Sequence, residues 1–253
     1  MRQRTTVKKL IKNSLKKIIN EEWNDFGNYI ISELINILSQ KKMIYNQVFI
    51  CPLCNYSGPN FIHLGNRSGI SWNSACPSCD SRSRHRGLIF LYNSILKTKT
   101  NRKILHFAPE PFFKNYLKDY SGNVYFTTDY NMLDVDYPNE DIQNLNFNDL
   151  SFDIVLANHV LEHIVDDCKA ISEIARILKP NGIAIITVPG DWRRQNTIIY
   201  PHLDYNGHYR DYGLDIIDKL NNIFSRVLIR NLFCYNDNKH AIKSDERAFL
   251  CLK

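Results

Sequence analysis

Residues 151–189, SFDIVLANHVLEHIVDDCKAISEIARILKPNGIAIITVP, read as strand, polar loop, helix and strand in succession. Phe152 to Ala157 is a short apolar run of the buried-strand type, and Asn158 and His159 place polar side chains at its carboxyl end. Ala170, Ile171, Ile174, Ala175, Ile177 and Leu178 then recur at helical spacing. Lys179-Pro180-Asn181-Gly182 stops that helix, and Ile183 to Val188 forms the next strand. This is a βαβ unit. In open α/β sheets ligands bind outside the carboxyl ends of the strands, which is where Asn158 and His159 fall.

Working outward, RHRGLIFLYNSIL from Arg84 to Leu96 predicts a helix, and Lys103 to Phe107 a first strand. Phe112 to Tyr120 follows as a helix, Val124 to Thr128 as a second strand, and a short third strand is expected near Asp134 to Tyr137. Beyond the βαβ unit, Tyr212 to Ile223 reads as a helix, and Arg226 to Phe233 and Arg247 to Leu252 as closing strands. Alternation of strand and helix implies a mostly parallel sheet. The polar loop Asn236 to Asp245 between the two closing strands suits an antiparallel edge hairpin.

The 253 residues are enough for one α/β domain and a small appendage. The net charge of +6 is local: Arg2, Arg4, Lys8, Lys9, Lys12, Lys16 and Lys17 precede the first acid, and the remainder carries 25 basic against 26 acidic residues. Any basic partner signal thus belongs to the amino-terminal segment. Residues 1–47 read as one or two helices with Val7, Leu10, Ile11, Leu15, Ile18 and Ile19 on one face and lysines on the other. Such a segment suits packing on the protein or a second subunit, or lying on an anionic membrane surface. No run reaches the roughly 18 apolar residues needed to span a bilayer, and no cleavable signal peptide is read. The expected compartment is the reducing cytoplasm, or the inner face of its membrane.

Four of the seven cysteines form two knuckles, Cys51-Pro-Leu-Cys54 and Cys76-Pro-Ser-Cys79, within a module spanning residues 48–86. Each CxxC turn directs two thiolates at one tetrahedral centre, so the spacing predicts a closed, structural zinc ribbon. Cys168, Cys234 and Cys251 fall in predicted regular elements and read as ordinary core or surface residues.

The pattern FDxVxxxHVLEH, a helix ending in LKPNG and a strand ending in VP closely resembles the class I S-adenosylmethionine-dependent methyltransferases. The resemblance implies a Rossmann-like, seven-stranded, mostly parallel sheet with an antiparallel last strand, over residues 87–253. It also implies a cofactor site. The turn after the first strand reads ILHFAPEPFF, with His106 where an acid is usual and Ala108 where the first glycine is usual. A subset of the family has a similar LHxAPE turn, which assigns Ala108, Pro109 and Glu110 to the aminoacyl part of the cofactor. Asp129, with Tyr130 beside it, is the expected ribose ligand, by the logic that puts an acid after strand two of dinucleotide sites. Asp141 and Ile142 match the segment that meets the adenine, and Asn158 and His159 fall beside the methyl group.

His159, Glu162 and His163 form an HxxEH string, which admits a zinc peptidase, a divalent-metal methyltransferase resembling those with an ExxEH string, or plain helix-start residues. The strand before it and LKPNG after it disfavour the peptidase, and the helix-start reading is preferred. On the acceptor side, GHYRDYG resembles the HxRxYG segment of small-molecule and glycan methyltransferases. It implies Arg210 as a clamp for an anionic group and His208 as a base, with His159 beside the methyl group the other candidate base. The long polar connection from Gly190 to Asp215, where the family builds its acceptor pocket, offers Trp192 and Tyr212 as pocket residues. The expected reaction is O-methylation of a sugar, glycan precursor or related metabolite. CPSCDSRSRHR resembles ribbons that lead directly into a methyltransferase domain, for which a lid or selecting role is one expectation. An RNA methyltransferase reading nucleic acid through the ribbon arginines, and a zinc-containing interaction module with a vestigial site, stand as alternatives.

Overall fold

The computed structural model of the protein describes residues 23–40, 48–66, 69–97, 101–118, 122–235 and 238–253. The basic segment before residue 23 lies outside the described residues, as do Arg67, Tyr120 and Asn236. The chain divides into two compact units: Met1–Asn93 with Leu232–Glu246, and Ser94–Asn231 with Arg247–Lys253. The expected module edge between residues 86 and 87 falls inside one continuous helix, Ser83–Leu96.

The second unit is built on a seven-stranded sheet. In chain order its strands are β5 (Lys103–Phe107), β6 (Val124–Asp129), β7 (Tyr137–Pro138), β8 (Phe152–Asn158), β9 (Leu178–Thr187), β12 (Arg226–Asn231) and β13 (Arg247–Leu252). Their order across the sheet is β12-β13-β9-β8-β5-β6-β7. The pairs β5–β6, β5–β8, β6–β7 and β8–β9 are parallel, while β13 runs antiparallel to both β9 and β12. This is the mostly parallel Rossmann-like sheet with an antiparallel last strand that the sequence implies. Strands buried on both faces need near-continuous apolar sequence, and Ile154, Val155, Leu156 and Ala157 in β8 with Ile185 and Ile186 in β9 are all at most 1% exposed.

The crossover helix between β8 and β9 runs Asp167–Ile177, with Ala170, Ile171, Ile174 and Ile177 buried against the sheet. Its cap is Asp166, whose side chain accepts the Lys169 amide at 3.0 Å. Glu162 and His163 are therefore not helix-start residues. They sit in a separate 3₁₀ turn, Leu161–His163, directly after β8. The helix expected over Tyr212–Ile223 shortens to Ile216–Asn221: Tyr212 is held in a bridge to Gly190, directly after the two-residue ladder of β11 (Arg210–Asp211) with β10 (Ile198–Ile199).

The closing connection is also more than a polar hairpin loop. Residues 232–246 belong to the first unit, where Leu232 and Ile242 are buried. Gly87 admits them: a Cβ there would stand 2.7 Å from the Leu232 Cβ and 3.3 Å from an Ile242 methyl group. Also in this first unit are α1 (Trp23–Gln40), the short pair β1 (Phe49–Ile50) and β2 (Ser57–Gly58), the hairpin β3 (Ile62–Asn66) and β4 (Gly69–Ala75), and the start of α2 (Ser83–Leu96). The hairpin docks on α1 through polar contacts. The Asn36 side chain donates to the His63 carbonyl at 2.9 Å and accepts the His63 amide at 2.7 Å, and the Gly65 amide donates to Ser32 Oγ at 3.1 Å.

Candidate functional site

A cavity of about 500 Å³ opens in the second unit at the carboxyl ends of β5, β6 and β8. Its lining includes Phe107 and Ala108 at the end of β5, Asp129 to Asn131 at the end of β6, Glu140 to Gln143, and His159, Val160 and His163 to Val165 after β8. Ala108 has φ +47°, the left-handed conformation for which glycine is the usual choice, and its amide donates to the Thr128 carbonyl at 2.9 Å. The missing glycine thus leaves its backbone form intact. A left-handed alanine costs about 1–2 kcal/mol, a strain the surrounding sheet holds in place. Pro109 and Glu110 lead into the helix Pro111–Lys118.

Asp129 uses one carboxylate oxygen to hold its own turn, accepting the Asn131 and Met132 amides at 2.6 and 2.7 Å, while the residue lines the cavity. Tyr130 lines it too and is 64% exposed, which makes it rim rather than floor. Asp141 accepts the Gln143 amide at 2.9 Å, and beside it Ile142 is buried and offers an apolar wall. A carboxylate on one side and an apolar plate on the other can grip the hydroxyls and the base of a nucleoside.

His106 occupies the floor under this turn. It is fully buried, its Nδ1 is 2.8 Å from the Tyr125 hydroxyl and its Nε2 is 3.1 Å from the Asn158 side-chain nitrogen. Burial holds its imidazole down at about 4, so it is neutral at physiological pH. Asn158, expected beside the methyl group, is 3% exposed and spends its amide on His106. His159 does reach the cavity wall, with φ +51° and its amide bonded to the Thr187 carbonyl. Its Nδ1 lies 3.2 Å from Glu162 Oε1.

The acceptor-side expectations fare differently. Arg210 is 5% exposed and points into the protein: Nη1 pairs with Asp167 at 2.9 Å and Nη2 donates to the Val165 carbonyl at 2.7 Å. A guanidinium so engaged is not a clamp for a ligand. Tyr212, fully buried, donates its hydroxyl to the same Asp167 at 2.9 Å. Trp192 packs edge-on against Phe249 and carries the Arg247 guanidinium over its ring. None of these three lines the cavity. His208 stands beside the wall, its ring 4.8 Å from that of His163. His163, Gln143, Val165 and Tyr209 are wall residues that sequence reading did not assign; Tyr209 lay inside the GHYRDYG segment, between two residues that were.

Residues 115–186 match the family described as Methyltransferase domain, a span of less than a third of the chain. An uncharacterized 37.1 kDa protein of transposon TN4556 from Streptomyces fradiae is 35% identical over 92 residues, covering 36% of this chain and 25% of that protein. The chain therefore matches about a quarter of the length of that curated relative. Among solved structures, a 1,6-didemethyltoxoflavin-N1-methyltransferase from Burkholderia thailandensis has a TM-score of 0.48 at 13% identity over 67% of this chain and 76% of that one. A phosphoethanolamine N-methyltransferase from Haemonchus contortus has 0.46 at 18% over 67% and 52%, and the [4+2]-cyclase SpnF has 0.45 at 14% over 65% and 79%. The family match and the strand order support a class I methyltransferase domain.

The first unit carries its own cluster. Cys51, Cys54, Cys76 and Cys79 present their sulfurs within 4.8 Å of one another. The two knuckles are built alike: Asn55 and Asp80, the residues after each CxxC, take φ +57° and +61°, and their amides donate to the Cys51 and Cys76 carbonyls at 2.9 Å. Asn and Asp tolerate this left-handed form better than other side chains, so each closes its turn at low cost. Hydrogen bonds from Cys76 and Cys79 favour the Cys51 thiolate, and the reverse contact pushes the Cys79 thiol up to about 11. Four thiolates together require a cation, and zinc fits this donor set. Arg86, fully buried, ties the cluster's surroundings together by donating to the carbonyls of Asn73, Ser81, His240 and Ala241. Those bonds commit Arg86 to structure.

Proposed function

We propose that the protein is an S-adenosylmethionine-dependent methyltransferase acting on a hydroxyl of a sugar, glycan precursor or similar small polar metabolite, with a structural zinc on Cys51, Cys54, Cys76 and Cys79. The observation that carries the reading is the cavity itself: a left-handed turn at Ala108, a carboxylate at Asp129 and an apolar plate at Ile142 converge at the carboxyl ends of β5 and β6. These are the three contacts a nucleoside with an aminoacyl tail needs. S-adenosylmethionine supplies a methyl group on a sulfonium centre, displaced in line by an acceptor oxygen while the sulfur keeps the electron pair. The chain's task is mainly alignment in a water-poor pocket. His159, on the wall, takes the hydroxyl proton, and the Glu162 carboxylate 3.2 Å behind it offsets the charge of the imidazolium that forms.

Calorimetry with S-adenosylmethionine tests the reading. The wild type is expected to bind one equivalent, and Asp129→Ala to bind it about 1.5–3 kcal/mol more weakly, the range for hydrogen bonds to a charged group. Absence of binding by the wild type, or unchanged affinity in the variant, would remove the site as drawn.

A further inference from the structure

Glu162 is fully buried, and neither of its carboxylate oxygens accepts a hydrogen bond. Three imidazoles surround it: His159, whose Nδ1 is 3.2 Å from Oε1 without hydrogen-bond alignment, and His163 and His208. His163 has its Nδ1 3.0 Å from the Gly207 carbonyl; a carbonyl only accepts, so Nδ1 carries a hydrogen, and in the neutral tautomer that a metal requires Nε2 presents the lone pair. That lone pair lies 4.0 Å from Glu162 Oε1. An anion facing that lone pair across 4.0 Å, with no aligned hydrogen-bond donor to satisfy it, is a gap shaped for a positive charge. His208 repeats the arrangement: its Nδ1 is 3.3 Å from Asp204, which leaves Nε2 as the free nitrogen. One ligand atom from each of Glu162, His163 and His208 lies within 4.8 Å of the others.

We infer that Glu162, His163 and His208 form a centre for one divalent first-row transition cation, such as zinc or manganese, at the wall of the cavity. Two imidazoles and one carboxylate suit these ions rather than magnesium, which prefers oxygen donors and keeps its waters. Bonds of about 2.0–2.2 Å would draw ligand atoms now up to 4.8 Å apart in to separations of about 3.4 Å. Metal-binding histidines characteristically give their other ring nitrogen to a carbonyl or carboxylate, and here Gly207 and Asp204 take those places. The loop is tied for the purpose: Asp204 accepts the amides of Asn206 and His208, and the Tyr209 amide donates to the Glu162 carbonyl at 2.8 Å. Three protein ligands leave open positions, and His163 lies on the cavity wall. If the methyl-transfer reading holds, an open position receives the acceptor oxygen and eases loss of its proton to His159. The centre itself rests on side-chain geometry and does not need the cofactor.

The test uses full-length protein with zinc already on its cysteines, titrated with manganese(II) alone and followed by electron paramagnetic resonance. Manganese does not compete with zinc for four thiolates, so the signal reports the other centre. We expect one manganese per chain, binding at least ten-fold weaker in His163→Ala and in His208→Ala, about ten-fold weaker in Asp204→Asn, and unchanged in His202→Ala, an exposed histidine of the same loop. His163 is 44% exposed, so its replacement does not empty a core. No bound manganese in the wild type, or equal affinity in His163→Ala and His208→Ala, overturns the inference. Calorimetry with S-adenosylmethionine on the same samples keeps the two readings apart: cofactor binding without manganese sinks this centre alone, and manganese binding without cofactor sinks the methyltransferase reading alone.

Discussion

Two buried carboxylates five residues apart live under opposite conditions. Asp167 is 5% exposed and surrounded by donors: Arg210 at 2.9 Å, the Tyr212 hydroxyl at 2.9 Å and Lys219 at 2.8 and 3.0 Å. Glu162 is wholly buried and accepts no hydrogen bond. The first is a structural knot, fastening the GHYRDYG segment to the crossover helix. The second is a group held ready, its proper partner a cation or a histidine proton. Burial alone does not separate structure from function; the count of donors does.

The sharpest way to break this contrast is to remove Asp167. Burial alone would raise its carboxyl, but Lys219 and Arg210 hold it below the usual carboxylate range. Asp167→Ala leaves the Arg210 guanidinium buried without its counter-ion, and losing one partner of such a pair costs about 3–5 kcal/mol. Urea denaturation should show that loss in the second unit. A cost below about 1 kcal/mol would mean Arg210 can swing out, and would restore it as a ligand clamp.

The pairing of Arg210 with Asp167 was not legible from sequence. HxRxYG has the composition of an anion site, and nothing near Arg210 in the chain says whether it faces a ligand or the core. The deciding partner sits in the first turn of a helix far earlier in sequence, as it does for Tyr212, 45 residues from Asp167. The sheet was legible because each buried strand announces itself by a local apolar run. The cysteine knuckles were legible because all the information for a turn lies within five residues. The Glu162 cluster was half legible: HxxEH put Glu162 and His163 in view, but His208 joins them only through the loop closed by Asp204.

A second, somewhat smaller effect separates neutral from charged burial. His106 binds a proton only near pH 4 in the folded protein, against 6.5 for a free imidazole. Between those values the unfolded chain takes up a proton that the folded one refuses. Stability from this residue is thus complete above pH 6.5 and falls as pH drops toward 4, by about 3 kcal/mol at 1.36 kcal/mol per pH unit. His63 in the first unit is lowered to about 4 by burial as well, so the His106 share is isolated by comparing wild type with His106→Gln. Denaturation at pH 7 and pH 4.5 should show a shallower acid loss in the variant. Identical slopes would place the acid sensitivity elsewhere.

The smallest expected effect is the most telling for Glu162. Glu162→Gln keeps the shape and removes a carboxylate that no aligned hydrogen-bond donor holds in the metal-free protein. In water-poor surroundings an uncompensated anion is worth less to the fold than a neutral amide, so thermal denaturation without added divalent metal should move by less than about 1 kcal/mol, toward greater stability. With manganese present the order should reverse, because only the wild type gains free energy from an ion that binds the folded state. That reversal is what a purely structural carboxylate cannot produce. If Glu162→Gln instead destabilises as much as Asp167→Ala does, with or without metal, then unseen donors hold Glu162 too, and the two carboxylates are one kind of group after all.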